Sequence, residues 1–166
     1  MTGIDGSDNE KAVLHEFLTY QRGAAVAIVD GLDDRALHTT VLPSGWTPLG
    51  LIEHLGHAEM HWFQDVLTGS AEPLPWPGDC PPLTTPRPAE VVLAFYRRMC
   101  DLSDERIAAT PLDAAPVRRH QVEWLAEQTT DLRRIILHMI EETARHAGHL
   151  DVARELIDGR TGLGPR

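Results

Sequence analysis

An all-α fold, a four-helix bundle with one long proline-rich crossover, is what this chain of 166 residues predicts. Apolar residues recur at spacings of three and four in four long segments, and no stretch alternates as a half-buried strand would. Prolines crowd into one interval, between the second and third of those segments, and no internal repeat marks a solenoid. A chain of this length can bury a core as one domain spanning residues 1–166 without help from disulfides.

The first helix is predicted to begin at Ser7, whose hydroxyl and the Glu10 carboxylate form a capping-box pattern, and to stop before Gly31. Val13, Leu14, Phe17, Leu18, Ala24, Ala25, Ile28 and Val29 give it a broad apolar stripe expected to face the core. The second helix starts with Thr47 as cap and Pro48 in the first position, where a missing N–H costs nothing, and ends at Gly69. Leu51, Leu55, Ala58, Trp62 and Val66 share one face of it, with His54 and His61 at that face's border.

Seven prolines between residues 69 and 88 forbid regular helix and predict an extended crossing. The third helix follows from Ala89 to Ala109 and buries Val92, Phe95, Tyr96, Met99 and Leu102. A less regular piece covers 110–128. The last helix is predicted from a Thr130 cap to Asp158, with Gly159 as its left-handed stop. Its apolar stripe contains Leu132, Ile135, Ile136, Met139, Thr143, Leu150, Ala153 and Ile157, with His146 inside the stripe and Glu142 at its edge.

The net charge of −10 works against phosphate backbones, so no nucleic-acid partner is expected. Arg97-Arg98, Arg118-Arg119 and Arg133-Arg134 are too short and too separated to form a binding stripe and read as solvated faces. No apolar run approaches the roughly 18 residues of a membrane span. With no apolar leader segment and only Cys80 and Cys100, neither in a CxxC pair, the expectation is a soluble cytoplasmic protein with ordinary thiols.

The chemistry-bearing pattern is the run from His138 to His149, which strings Glu142, His146 and His149 along one side of a helix. His54, His57 and His61 recur at helical spacing earlier in the chain, where a second helix could supply a third ligand. Two imidazoles and a carboxylate are the ligand count of catalytic zinc sites, and nickel, iron and manganese accept the same donors. Spacing alone also admits a polar seam of satisfied core histidines with Glu142 paired to an arginine. His57 points away from His54 and reads as surface or supporting, as does His138; His61 reads as lining a cavity or the core edge. Trp46 and Trp62 read as packing at the mouth and interior of the bundle.

The segments PSGWTPLGLIEHLGHAE at 43–59 and HMIEETARHAGHLD at 138–151 resemble the DinB-like (YfiT-like) superfamily, closest to an actinobacterial branch of uncharacterised proteins, with similarity along essentially the whole chain. The resemblance implies the four-helix bundle again, with a divalent metal, zinc foremost, held by His54, Glu142 and His146. Many members have histidine at the position of Glu142, whereas the mycothiol-dependent maleylpyruvate isomerases look similar in using glutamate. His149 stands where many carry glutamine, which assigns it a fourth ligand, a substrate contact or a supporting donor. The activity implied is metal-dependent activation of a low-molecular-weight thiol such as mycothiol, as in thiol S-transferases, with His149 or His61 shuttling the proton. The alternative is a non-catalytic metal- or small-ligand-binding bundle of stress response. A homodimer is expected under either reading.

Overall fold

The computed structural model describes residues 6–78 and 81–162, with side chains from residue 9 onward. All regular structure among them is helical. The long elements are α1 (Gly6–Val29), α3 (Pro48–Glu59) running straight into a π-helical segment (Met60–Leu67), α4 (Ala89–Ala109) and α6 (Leu132–Asp158). Two short helices, α2 (Asp34–Leu37) and α5 (Glu123–Gln128), sit in the connections. Helix α1 packs along α6 and α3 along α4, while α3 also meets α6 and α1, so the four long helices surround a shared interior.

The interior holds two apolar clusters. One gathers Ala25 and Ile28 from α1, Leu51, Ile52 and Leu55 from α3, Tyr96 from α4 and Leu150 from α6. The other gathers Leu18, Trp62, Phe63, Ile107, Ile135, Ile136 and Met139. Arg22 lies between Leu18 and Ala25 on α1, Glu59 between Leu55 and Trp62 on the second helix, and Thr143 between Met139 and Ala147 on α6, all buried. A polar layer therefore crosses the bundle between its two apolar halves. In it Arg22 grips Glu59 with two hydrogen bonds, Nε to Oε1 at 2.7 Å and Nη2 to Oε2 at 2.6 Å, and donates a third to Asp104 at 2.6 Å. Burial works against the Arg22 cation, and the neighbouring Glu59 and Asp104 carboxylates outweigh it.

Helix ends follow their caps. Thr47 Oγ1 accepts from the Gly50 N–H at 3.1 Å, with Pro48 next to it as the sequence predicts. Helix α6 is capped by Asp131, whose Oδ1 accepts from the Arg134 N–H at 3.0 Å, one residue later than the predicted Thr130. A carboxylate there answers the N-terminal dipole better than a hydroxyl. Gly159 ends α6 at φ 76°. Buried Arg154 of α6 donates to the Ile28 and Asp30 carbonyls at 2.6 and 2.7 Å, closing the C-terminus of α1. At the start of α1 the Glu10 carboxylate accepts from Arg133 Nε at 2.6 Å, and the Ser7 side chain proposed as a cap lies outside the described residues.

The predicted apolar stripe of α1 is wider than the surface that α1 buries. Leu18, Ala25, Ile28 and Val29 are interior, whereas Val13 and Phe17, with Tyr20, are exposed. α1 lies at the bundle's edge against α6, so only one part of a broad stripe can turn inward. Leu102 on α4 and Ile157 on α6 are half-buried rather than interior.

The crossing is tied down at its start by the Ser70 N–H, which donates to the Gln64 carbonyl at 2.6 Å, and again toward its end. Thr47 N–H donates to the Leu83 carbonyl at 3.0 Å, and Arg87 reaches buried Glu53 with Nε at 3.0 Å while lying over the Trp76 ring at 4.8 Å. The connection after α4 returns across the π segment, with Val117 and Arg118 N–H groups donating to the Leu67 and Val66 carbonyls, both at 3.0 Å. No helix among the described residues is long and apolar enough to cross a membrane.

Candidate metal centre

His54 projects from α3, and Glu142 and His146 project from consecutive turns of α6. The packing of α3 on α6 brings the three together, with one ligand atom from each lying within 4.8 Å of the others. Both imidazoles converge on a single carboxylate oxygen: His146 Nε2 is 3.0 Å and His54 Nε2 3.3 Å from Glu142 Oε1. The two rings stand edge to face, 4.9 Å between centroids. Side-chain exposures of 23%, 25% and 15% for His54, Glu142 and His146 leave the group reachable by a small molecule yet shielded from bulk water.

Hydrogen bonds from His146 and then His54 hold the Glu142 carboxyl well below the usual carboxylate range, against the opposing effect of burial. Glu142 is therefore an anion ready to act as a ligand at neutral pH. The donor set fits a divalent cation: two imidazole nitrogens and one carboxylate oxygen, clustered closely enough for bonds of about 2.0–2.2 Å after small side-chain adjustments. His146 Nδ1 is buried without a hydrogen-bond partner, a polar atom left unsatisfied behind the coordinating face. Nitrogen and oxygen donors do not select among zinc, nickel, iron and manganese.

The remaining histidines divide into two groups. His149 lies one turn beyond His146, exposed, with its ring 5.8 Å from His146 and 6.2 Å from Trp46. Together Trp46 and His149 make a lip beside the triad. His61 is instead part of a separate cluster: its ring is 5.1 Å from His120 and 5.2 Å from Trp62, and its Nδ1 is 3.5 Å from Asp65. Trp62 also contacts His138 at 4.7 Å and stacks with His120 at 5.0 Å. His138 is half-buried there, and burial lowers its pKa, as it does for His61. His57 is buried rather than surface-placed, 3.6 Å from Glu53 and 5.1 Å from the Phe95 ring, on the side of α3 that faces α4. His120 is the residue that sequence reasoning passed over: it belongs to an irregular segment whose return path only the fold reveals. Cys100 is partly buried against the interior, and that burial pushes its thiol well above the ordinary range; Cys80 lies outside the described residues.

The family model for mycothiol S-transferases matches residues 13–159, nearly the whole chain. The chain belongs to the mycothiol S-transferase family. The match takes in His54, Glu142, His146, the Trp46–His149 lip and the Trp62 cluster, along with both segments that carry the DinB-like resemblance. No curated protein and no solved structure matches significantly. In a member of the mycothiol S-transferase family, a His–Glu–His group that could bind a metal is compatible with a divalent ion and a small thiol as reactants' helpers and substrate.

Proposed function

We propose that this mycothiol S-transferase family member is a metal-dependent enzyme that transfers a low-molecular-weight thiol, mycothiol foremost, to an electrophilic or conjugated small molecule. The observation that carries this reading is the convergence of His54 and His146 on one oxygen of an ionised Glu142 in a half-buried setting. His54, Glu142 and His146 would hold the ion, with zinc put foremost because two imidazoles and one carboxylate are the ligand count of catalytic zinc sites. A divalent metal bound there supplies Lewis acidity that favours the thiolate of a bound thiol.

The chain's own groups do the rest. His149, exposed at the lip one turn from His146, accepts the thiol proton and returns it to solvent or product. Trp46 offers an apolar face beside it that orients substrate. The sulfur lone pair forms the new carbon–sulfur bond as the electrophile loses its leaving group or, for a conjugated acceptor, takes up the proton. His61 sits apart in the Trp62–His120 cluster, so in this reading a proton would reach it only through solvent.

A cytoplasmic location follows from the thiol chemistry. A homodimer is favoured by Val13, Phe17 and Tyr20 standing exposed along α1, and light scattering on the purified chain tests it.

Elemental analysis of protein purified without added metal, followed by assay of metal-replete protein with mycothiol and a panel of electrophiles, tests the main reading. About one metal per chain, lost in His146→Ala, with transfer that needs the metal, is the expected result. Stoichiometric metal that survives both Glu142→Ala and His146→Ala would sink the site assignment. Metal that raises thermal stability while every thiol and electrophile stays unreacted would replace the enzyme with a binding bundle.

A further inference from the structure

A cavity of about 440 Å³ lies on the α4 side of the π segment and is roofed by the proline-rich crossing. It shares no residue with the His54–Glu142–His146 group. Its walls are largely apolar, with Met60, Leu74, Phe95 and Met99 among them. The size and lining are those of a small-molecule site.

Several donors on these walls lack a good acceptor. Gln64 is 4% exposed, and the contact of its amide nitrogen is the Met99 sulfur at 3.6 Å, a weak acceptor. Trp76 Nε1 and Arg106 Nε are buried with no partner. Buried donors of this kind are normally satisfied by a protein group or an ordered water; Trp76 Nε1 and Arg106 Nε lie behind the cavity surface, and Gln64, held only by a thioether, is the amide left short of an acceptor beside it. Arg98 and Arg106 stand two turns apart on one stripe of α4, and the nearest carboxylates to them, Glu72 and Glu105, are each 4.0 Å away, at the limit of an ion pair. Glu72 lines the same cavity and is largely exposed. The wall opposite α4 is the π-helical segment, a rare conformation that recurs at functional sites, and here it carries Met60 and Gln64.

We propose that this cavity binds a small monocarboxylate with an apolar, ring-sized body. The body packs on Met60, Phe95, Met99 and the Trp76 ring, and the carboxylate meets the Gln64 amide and the Arg106 guanidinium, which adds charge as well as hydrogen bonds. This inference does not depend on the metal reading.

Calorimetric titration of the full chain with 2-naphthoate and with neutral 2-naphthamide tests it, using Val91→Trp to fill the cavity, Arg106→Met to remove the cation and His146→Ala as a control. Val91 is a partly exposed wall residue, so the larger ring has room to be accommodated. Saturable naphthoate binding, at least about tenfold tighter than the amide, weakened about tenfold by Val91→Trp and Arg106→Met and unchanged by His146→Ala, is expected. No saturation at millimolar concentration, equal binding of the amide, or binding lost in His146→Ala but kept in Arg106→Met would overturn the proposal. Should Val91→Trp fail to fold by circular dichroism, Arg106→Met decides alone.

Discussion

Glu142 is the residue on which the triad depends, because both imidazoles hydrogen-bond to the same one of its oxygens. Glu142→Gln keeps the shape and removes the charge, so metal content should fall well below one per chain while the helical spectrum persists, as elemental analysis and circular dichroism will show. Arg22 and Glu59 make a different demand, since both are buried and each satisfies the other. Glu59→Gln leaves a buried cation short of its partner and should cost about 3–5 kcal/mol in urea denaturation. The double change Arg22→Met with Glu59→Leu should cost less than the sum of the single changes, because it strands no charge. His54, Glu142 and His146 are visible in the sequence because histidine and glutamate at an apolar border are chemically conspicuous. His120 is not visible: a lone histidine in an irregular segment has no periodicity to place it.

At the level of elements, α4 begins and ends where prolines and apolar spacing put it, and α6 differs by one cap residue. Local rules suffice for these because long amphipathic helices repeat their signal over many turns. The short helices α2 and α5, and the change from α to π geometry at Met60, leave no comparable trace. The close approach of the crossing to α3 is similarly hidden until the fold is known. A Cβ placed on Gly50 would stand 2.2 Å from the Leu83 carbonyl oxygen, which is backbone and cannot swing aside. Gly50→Ala should therefore push the crossing off the start of α3, lower the melting temperature and speed amide hydrogen exchange around residues 83–87. Unchanged exchange there would show that the contact is not restrictive.

For the whole molecule, acid and metal are the two levers. Burial holds His61 and His138 below the ordinary histidine value of 6.5, so the unfolded chain takes up protons first as the pH falls. Their neutral forms thus support the fold fully above about 6.5, and that support is lost as the pH drops toward the lowered values. His120 opposes protonation of both His61 and His138, and His138 that of His61, while Asp65 partly offsets the effect at His61 and Glu142 and Glu141 at His138. Melting temperature should decline between pH 7 and 5.5, and His61→Gln with His138→Gln should flatten that decline. Glu142 acts lower on the scale: its lowered pKa gives stability that is present above 4.5 and is lost as the pH falls below it. Metal removal is the other lever. If the triad holds an ion that the unfolded chain does not, a strong chelator should lower the melting temperature of wild-type protein and leave His146→Ala unmoved.

Helix content, the proline-rich crossing, the caps at Thr47 and Gly159 and the one-turn spacing of Glu142 and His146 are local properties of composition and spacing, so the chain carries them in readable form. Which part of the α1 stripe turns inward, how Arg22 finds Glu59, and how His120 comes to lie on Trp62 depend on residues far apart in sequence. Those pairings exist only after α1, α3, α4 and α6 have packed, because each requires a partner that no window of neighbouring residues contains. The same holds for the triad itself: α6 presents Glu142 and His146 by helical periodicity alone, and only the packing of α3 against α6 brings His54 to them.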